Sequence, residues 1–412
     1  MISFNKAQEV LIKYNQQHVL NFYNELSDNE KEKLLEQIEN INFEEVNNIY
    51  KEVAHVASDS VTDITPIGRI DKQELSDEEL DRYIKHGEES IKNGRLAFVT
   101  MAGGQGTRLG HSGPKGTFVL DIQNNKSLFE ILCDTLKIAN NKYEVSIPWY
   151  IMTSRENNDE TVKFFEDNNY FGYNKEDIIF FKQGELPMIF TDGKVVMEDK
   201  GIIRQAADGH GGIFRAMMKN NILQDMKNRN IKWIFIGGVD NCLLKMVDPL
   251  FIGICEEKGY TLGSKTIPKR SPDEKVGVFC KKNGKPAVVE YTEITEEMAN
   301  LRDAKGELVY GEAHILCNMF SLDILEKMEK VPLKYHSAFK STNYIDNYGK
   351  LCVSEKPNSY KFEALIFDAF GLADDVLLLR TKREDEFAPL KNKEGQDSIE
   401  TARQLYYDYI GG

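Results

Sequence analysis

The chain has 412 residues, with 66 Asp and Glu against 52 Lys and Arg and a formal charge of −14. A hydrophobic content of 41% with 10% aromatics can fill a real interior and excludes a mostly disordered chain, while the length exceeds one ordinary core and predicts two or three domains. The acid excess argues against nucleic acid as a partner, so any site for a polyanion must be locally basic.

Met1-Ile2-Ser3-Phe4-Asn5-Lys6 shows no basic patch followed by an apolar stretch, so no secretory leader is expected. No apolar run approaches the ~18–20 residues of a membrane helix, and no membrane partner is expected. Through the first ~90 residues apolar positions recur near helical spacing, as in Val10, Leu11, Tyr14, Val19, Leu20 and Tyr23. Ser27 precedes Glu30 and Ser76 precedes Glu79. Both pairs have the form of a capping box, in which hydroxyl and carboxylate satisfy the open N–H groups at a helix start. Residues 1–94 are expected to be a helical cap without chemistry of its own.

At Arg95 the character changes. Leu96–Met101 is a short apolar run that stops at a glycine cluster, and the runs at 149–152, 178–181 and 231–236 resemble it. Such runs suit strands buried on both faces. Helical patterns at about 127–140, 158–168 and 214–228 lie between them. Strands alternating with helices imply a mostly parallel sheet with right-handed crossovers. After about residue 260, the runs at 276–279 and 287–291 predict an antiparallel addition over the substrate side. A nucleotide-handling domain is expected over 95–378 and a small lobe over 379–412. The six cysteines, at 133, 242, 255, 280, 317 and 352, form no CxxC pair. Neither a disulfide framework nor a structural zinc is indicated, and a reduced cytoplasmic protein is expected.

The strongest feature follows the first core strand: Met101-Ala102-Gly103-Gly104-Gln105-Gly106-Thr107-Arg108-Leu109-Gly110, continuing to Gly113-Pro114-Lys115-Gly116. Glycines let the main chain approach a phosphate closely, and Arg108 and Lys115 can neutralise its charge. From Arg95 to Leu120 there is no Asp or Glu, where about four would be expected at the chain's average. A Walker loop needs Gly-Lys-Ser/Thr, and the Gly-Lys pairs at 193, 284 and 349 are followed by Val, Pro and Leu. A dinucleotide fingerprint needs a third glycine where Leu109 stands. A carboxylate ending the strand 231–236, Asp240, is well placed to hold Mg²⁺ or to cap a helix.

The stretch AGGQGTRLG…PKG resembles the signature of UDP-sugar pyrophosphorylases, most closely the eukaryotic-type UDP-N-acetylhexosamine enzymes. Further blocks match in order: WYIMTS at 149–154, FFKQGELP at 180–187, ADGHGG at 207–212, VDN at 239–241, VVEYTEI at 288–294 and REDEFAPLKN at 383–392. The resemblance spans nearly the whole chain. It implies a Rossmann-like, glycosyltransferase A-like α/β nucleotidyltransferase with a helical N-terminal region and a small C-terminal lobe. It implies a reaction of UTP with a sugar 1-phosphate to give UDP-sugar and pyrophosphate, with Mg²⁺, in a monomer or homodimer. The sugar-phosphate oxygen is already ionised, so positioning and charge neutralisation suffice.

By the resemblance Lys115 grips the triphosphate, Arg108 steadies the leaving pyrophosphate, and Asp240 holds the metal. Met101, Ala102, Gly103, Gly104, Gly209 and Gly238 surround the uridine and its phosphates. Gln183 reads the uracil, since an amide offers both a donor and an acceptor. Glu290 and Tyr291 face the sugar, Lys391 reaches the sugar phosphate, and Lys361 is a second candidate of the same kind. Two positions depart from the family pattern. His210 stands in the block that usually reads DGNGG, and His314 replaces an asparagine of the block GNIANH that contacts the hexosamine. Nucleotide and reaction therefore transfer, while the sugar stays open among N-acetylglucosamine, N-acetylgalactosamine, glucose and galactose 1-phosphates. Two other readings are a relative using another nucleoside triphosphate, which Gln183 opposes, and a non-catalytic UDP-sugar-binding regulator, which retention of Arg108, Lys115, Asp240 and Lys391 opposes.

Overall fold

Among the described residues, eleven strands join in one mixed sheet. The computed structural model describes residues 1–53, 63–122, 124–331 and 333–411. In chain order the sheet strands are β1 (Ile64–Thr65), β2 (Ile70–Asp71), β3 (Leu96–Met101), β4 (Trp149–Thr153), β5 (Ile178–Lys182), β6 (Trp233–Gly238), β7 (Leu262–Pro268), β8 (Val278–Lys282), β9 (Lys285–Val289), β10 (Glu312–Ser321) and β11 (Leu377–Arg380). Their main path runs β2-β11-β7-β10-β6-β3-β4-β5. Every neighbour on that path pairs parallel except β10, which runs against β6 and β7. The expected buried strands are present: β3, β4 and β6 have no exposed residue. β8 and β9 form the expected antiparallel addition.

Between the strands, helices form at Leu128–Tyr143 and Asn158–Asp167, as the spacing predicts, while the pattern at 214–228 is two helices, Gly212–Lys219 and Ile222–Asn228, parted at Asn221 with φ +57°. The apolar faces of the first two complete a core with Phe98, Phe129, Trp149, Phe165 and Phe235 at its centre. Helix Asp77–Lys92 starts with the Ser76–Glu79 capping box and crosses helix Pro249–Lys258 at two glycines. A Cβ on Gly87 would lie 1.8 Å from Pro249 O, and one on Gly253 1.8 Å from Tyr83 O. No other residue allows so close a backbone approach.

The chain divides into two units, each assembled from three stretches. The smaller comprises Met1–Ser60, Gly184–Gly212 and Leu333–Ile366; the larger comprises Val61–Gln183, Ile213–Pro332 and Phe367–Gly412. The smaller unit has its own core, in which Leu34, Leu35, Ile38, Val46 and Ile49 meet Ile189, Val195 and Phe362. Its helices are Phe4–Lys13, Asp28–Asn40 (with the Ser27–Glu30 capping box formed) and Phe43–Val53. This division differs from three consecutive segments split at 94 and 378. The first 94 residues are not wholly helical, because β1 and β2 pair into the large sheet. The last stretch is no separate lobe, because Leu390 and Ala402 are fully buried in the larger unit's core.

Candidate active site

Because β2, β3, β4, β5, β6, β7 and β11 point the same way, their carboxyl ends gather on one edge of the sheet. In open parallel sheets the loops at that edge bind ligands. The loop after β3 is the glycine segment, and it is closed on itself. Lys115 N–H donates to Gly104 O at 3.0 Å and Gly106 N–H to Gly113 O at 2.8 Å, while Gln105 bridges Pro114. Gly116 is required because a Cβ there would lie 2.2 Å from the Phe129 ring. Asn157, fully buried after β4, donates to Ala102 O at 2.9 Å and Gly104 O at 3.3 Å. Sequence reasoning passed over Asn157; its signal was an asparagine just beyond a buried strand. Arg108 is exposed on the short turn Thr107–Leu109.

Gln183 follows β5, and its N–H donates to Thr153 O at 2.8 Å. Its side-chain amide stands against Gly103: a Cβ on residue 103 would be 2.7 Å from Gln183 Oε1. Asp240 follows β6 just past Gly238. Lys115 Nζ lies 2.9 Å from Asp240 Oδ2, and both side chains are mostly buried. The glycine-loop cation and the strand-end carboxylate, 125 positions apart in sequence, thus meet directly. Asp240 caps no helix. Its carbonyl instead accepts from Leu390 N–H at 2.8 Å. Its neighbour Asn241, only 3% exposed, donates to Glu386 O at 2.8 Å and accepts from Ala388 N–H at 2.9 Å. That tie fixes the segment carrying Lys391 alongside the Asp240 turn.

Behind this tie lies a buried ion triad, with Lys245 Nζ beside it at 3.7 Å from Glu386 Oε1. Lys265 Nζ on β7 is 2.7 Å from Asp248 Oδ2 and 2.9 Å from Glu386 Oε2. For Asp248, burial pushes the carboxyl up, but Lys265, Lys72 and the Phe251 N–H together outweigh it and leave it below its ordinary value. For Lys265, burial pushes the ammonium down, and the two carboxylates outweigh it and raise it.

Asp240 lines a cavity of about 630 Å³ together with Gly238, His314, Lys391 and Arg270. His314 Nε2 is 3.2 Å from Asn318 Oδ1, and its ring meets Phe279, Phe367 and Phe370 edge-on. Its backbone N–H donates to Gly277 O at 2.9 Å. Glu290 Oε1 lies 3.6 Å from where a Cβ on Gly277 would be, so Glu290 and His314 share that glycine as a neighbour. Both Glu290 and Tyr291 lie just past the end of β9, and Tyr291 is 45% exposed.

The remaining candidates, Gly209, His210 and Lys361, belong to the smaller unit. There the 208–211 turn is zipped to the end of strand Ser359–Ala364: Ala364 N–H donates to Asp208 O at 2.8 Å, and Gly211 N–H to Ala364 O at 2.9 Å. Gly209 has φ +86°, and a Cβ there would be 2.3 Å from Ala364 O. His210 Nδ1 accepts from Ile366 N–H at 2.9 Å, which leaves a neutral ring with its proton on Nε2. Lys361 pairs with Glu363 at 2.6 Å on the same strand.

Among the described residues no group of three or more His, Cys, Asp or Glu is arranged to hold a metal, and no helix is long and apolar enough to cross a membrane. All six cysteines are thiols.

The sequence profile of the family described as UTP–glucose-1-phosphate uridylyltransferase matches residues 10–406. A UDP-N-acetylglucosamine pyrophosphorylase of Saccharomyces cerevisiae is 36% identical, over 97% of this chain and 89% of its own. A UDP-N-acetylhexosamine pyrophosphorylase-like protein 1 of Xenopus tropicalis is 36% identical, over 94% of this chain and 80% of its own. Among solved structures, the Trypanosoma brucei uridine diphosphate N-acetylglucosamine pyrophosphorylase, in complex with inhibitor, superposes with a TM-score of 0.84. It is 32% identical, with 99% of this chain and 85% of that chain covered.

Proposed function

The chain belongs to the UTP–glucose-1-phosphate uridylyltransferase family, and from that premise we propose that it joins UTP to an N-acetylhexosamine 1-phosphate, giving the UDP-sugar and pyrophosphate. It is a nucleotidyltransferase. N-acetylglucosamine 1-phosphate is the sugar its relatives' names favour. The observation that carries the mechanism is the Lys115–Asp240 pair at the mouth of the glycine loop.

A phosphate oxygen of the sugar 1-phosphate attacks the α-phosphorus of UTP, and pyrophosphate leaves in line. The glycine loop offers backbone N–H groups to the triphosphate, and Lys115 turns from Asp240 to the phosphates when they arrive. Arg108 neutralises charge on the departing pyrophosphate. Gln183 is set against Gly103 to read the uracil edge. Lys391 neutralises the incoming sugar phosphate. Glu290 accepts sugar hydroxyls, and His314 bounds the sugar side within its aromatic surround. His210, Gly209, Tyr291 and Lys361 complete the proposed set.

The donor set for a metal is one carboxylate, Asp240. That suits Mg²⁺, which commonly binds through one or two carboxylates plus substrate phosphates and keeps several waters. Held there, Mg²⁺ would supply charge neutralisation to the phosphates.

The test is a panel of sugar 1-phosphates with UTP and Mg²⁺, followed by pyrophosphate release. N-acetylglucosamine 1-phosphate is expected to give the highest kcat/KM. Absence of release with every sugar would overturn the enzyme reading in favour of a UDP-sugar-binding regulator. A preference for glucose or galactose 1-phosphate would overturn the sugar.

A further inference from the structure

The loop after β7 reads Lys269-Arg270-Ser271-Pro272-Asp273-Glu274-Lys275. It leaves the same sheet edge as the glycine loop and the Asp240 turn, and Arg270 lines the Asp240 cavity. We propose that Arg270 and Lys391 form a two-cation clamp for the phosphoryl group of the sugar 1-phosphate, with the carboxylate of Asp397 holding the clamp apart until substrate arrives. The proposal rests on the uridylyl-transfer reading and extends it to a residue that the motifs did not single out.

Asp397 stands between the two cations. Its Oδ2 is 3.4 Å from Lys391 Nζ and its Oδ1 is 4.0 Å from Arg270 Nη1. At 4.0 Å the guanidinium is beyond hydrogen-bond reach of that oxygen. An exposed pair so long contributes little to stability. What it does is hold two positive groups on opposite sides of one anion, inside the cavity that Asp240 lines. A phosphate offers three oxygens and two charges where Asp397 offers two oxygens and one. Arg270 has a planar fork of donors suited to two phosphate oxygens, and Lys391 adds a point charge.

The surroundings keep the clamp in place without occupying it. Arg270 is anchored through its backbone: its N–H donates to Glu274 Oε2 at 2.7 Å. Glu274 is in turn fixed by the mostly buried Arg383 at 2.7 Å. Lys269 closes the loop on Pro272 O at 2.8 Å. Phe387 is flanked by Arg383 at 5.6 Å and by Lys391 at 5.7 Å from its ring centre. The Lys391 N–H donates to Asp397 O at 2.7 Å, so the stretch that carries Lys391 and the one that carries Asp397 move as one. The cavity wall also carries Lys275, and its carboxylates are Asp240, Asp273, Glu274 and Asp397. Lys115 pairs with Asp240 and Arg383 with Glu274, so two of those charges are already neutralised, and a phosphate that displaces Asp397 meets both cations of the clamp.

Steady-state kinetics with N-acetylglucosamine 1-phosphate and UTP test the clamp. Arg270→Ala is expected to raise KM for the sugar phosphate about tenfold or more, as loss of a charge-assisted hydrogen bond does, with KM for UTP within about twofold. Arg270→Lys is expected to recover part of the loss. The double variant with Lys391→Ala is expected to lose less than the product of the two single losses, because both act on one group. Arg270 is 42% exposed at its side chain, and an unchanged melting temperature confirms the fold. If native protein turns over and Arg270→Ala matches it in every KM, the clamp is refuted while the enzyme reading stands. If native protein shows no turnover at all, the enzyme reading itself fails. If, in the reverse reaction, only KM for pyrophosphate rises, the cations serve the leaving group and the proposal is overturned.

Discussion

At the scale of single residues, the site turns on where two side chains go when substrate is absent. Lys115 and Asp240 neutralise each other at 2.9 Å, so neither is a buried charge without a counter-ion, and each is released by an arriving ligand of opposite sign. Lys115→Ala is expected to lower kcat by about 10²–10³, the usual consequence of removing one transition-state donor, while a thermal melt shows the fold intact. A variant with near-native turnover would remove Lys115 from the mechanism. Asp240→Asn keeps the shape and removes the charge. It is expected to shift the Mg²⁺ activation curve to higher concentration, and an unshifted curve would leave Asp240 a structural role only. Gly103 tests the uracil contact from the opposite side. Its added methyl would fall 2.7 Å from Gln183 Oε1, and the flexible amide would give way. Gly103→Ala is therefore expected to raise KM for UTP severalfold with KM for the sugar phosphate nearly unchanged; equal rises in both would place Gln183 elsewhere in the chemistry.

At the scale of elements, the buried strands were legible because continuous apolar runs have few other solutions, and the glycine loop because glycines, cations and missing acids coincide there. Both capping boxes could be read from two residues each. The pairing of Ile64–Thr65 and Ile70–Asp71 into the large sheet was not legible, since two-residue strands carry no periodicity. Arg270 was not singled out because a basic loop residue looks like solvated surface until the direction of β7 puts it on the ligand edge. The Asn241 tie was likewise hidden: its partners at 386 and 388 lie about 145 positions away. Where helices Asp77–Lys92 and Pro249–Lys258 cross, glycine is a steric requirement. Gly253→Ala puts a methyl 1.8 Å from a backbone carbonyl that cannot rotate aside. A loss of about 1–3 kcal/mol or more is expected, read as a lower denaturant midpoint, and a midpoint equal to native would show that the helices separate freely.

At the scale of the whole molecule, the buried Lys265 triad joins β7, the start of helix Pro249–Lys258 and the 383–391 segment that carries Lys391. Removing one member of such a group leaves uncompensated charge, and Lys265→Met is expected to cost about 3–5 kcal/mol. The pH dependence follows from the directions of the shifts. Asp248 is held below its unfolded value, so its stabilisation is present above about pH 4 and is lost as pH falls through its folded value. Lys265 is raised, so its stabilisation is complete below about pH 10 and is lost only in stronger base. In Lys265→Met, Asp248 loses the largest of the influences that hold its carboxyl down, and its protonation becomes less costly. The melting-temperature deficit of the variant is therefore expected to narrow as the medium is acidified toward pH 4; a constant deficit would mean the loss is one of packing alone. The threading of the chain carries a last consequence. Its six stretches alternate between the two units, so no prefix that stops short of residue 366 contains everything either unit needs. The smaller unit waits for residue 366 and the larger for the final helix. While residues 1–366 are being made, both units stand as half-built hydrophobic surfaces, the kind of exposed apolar face that chaperones bind.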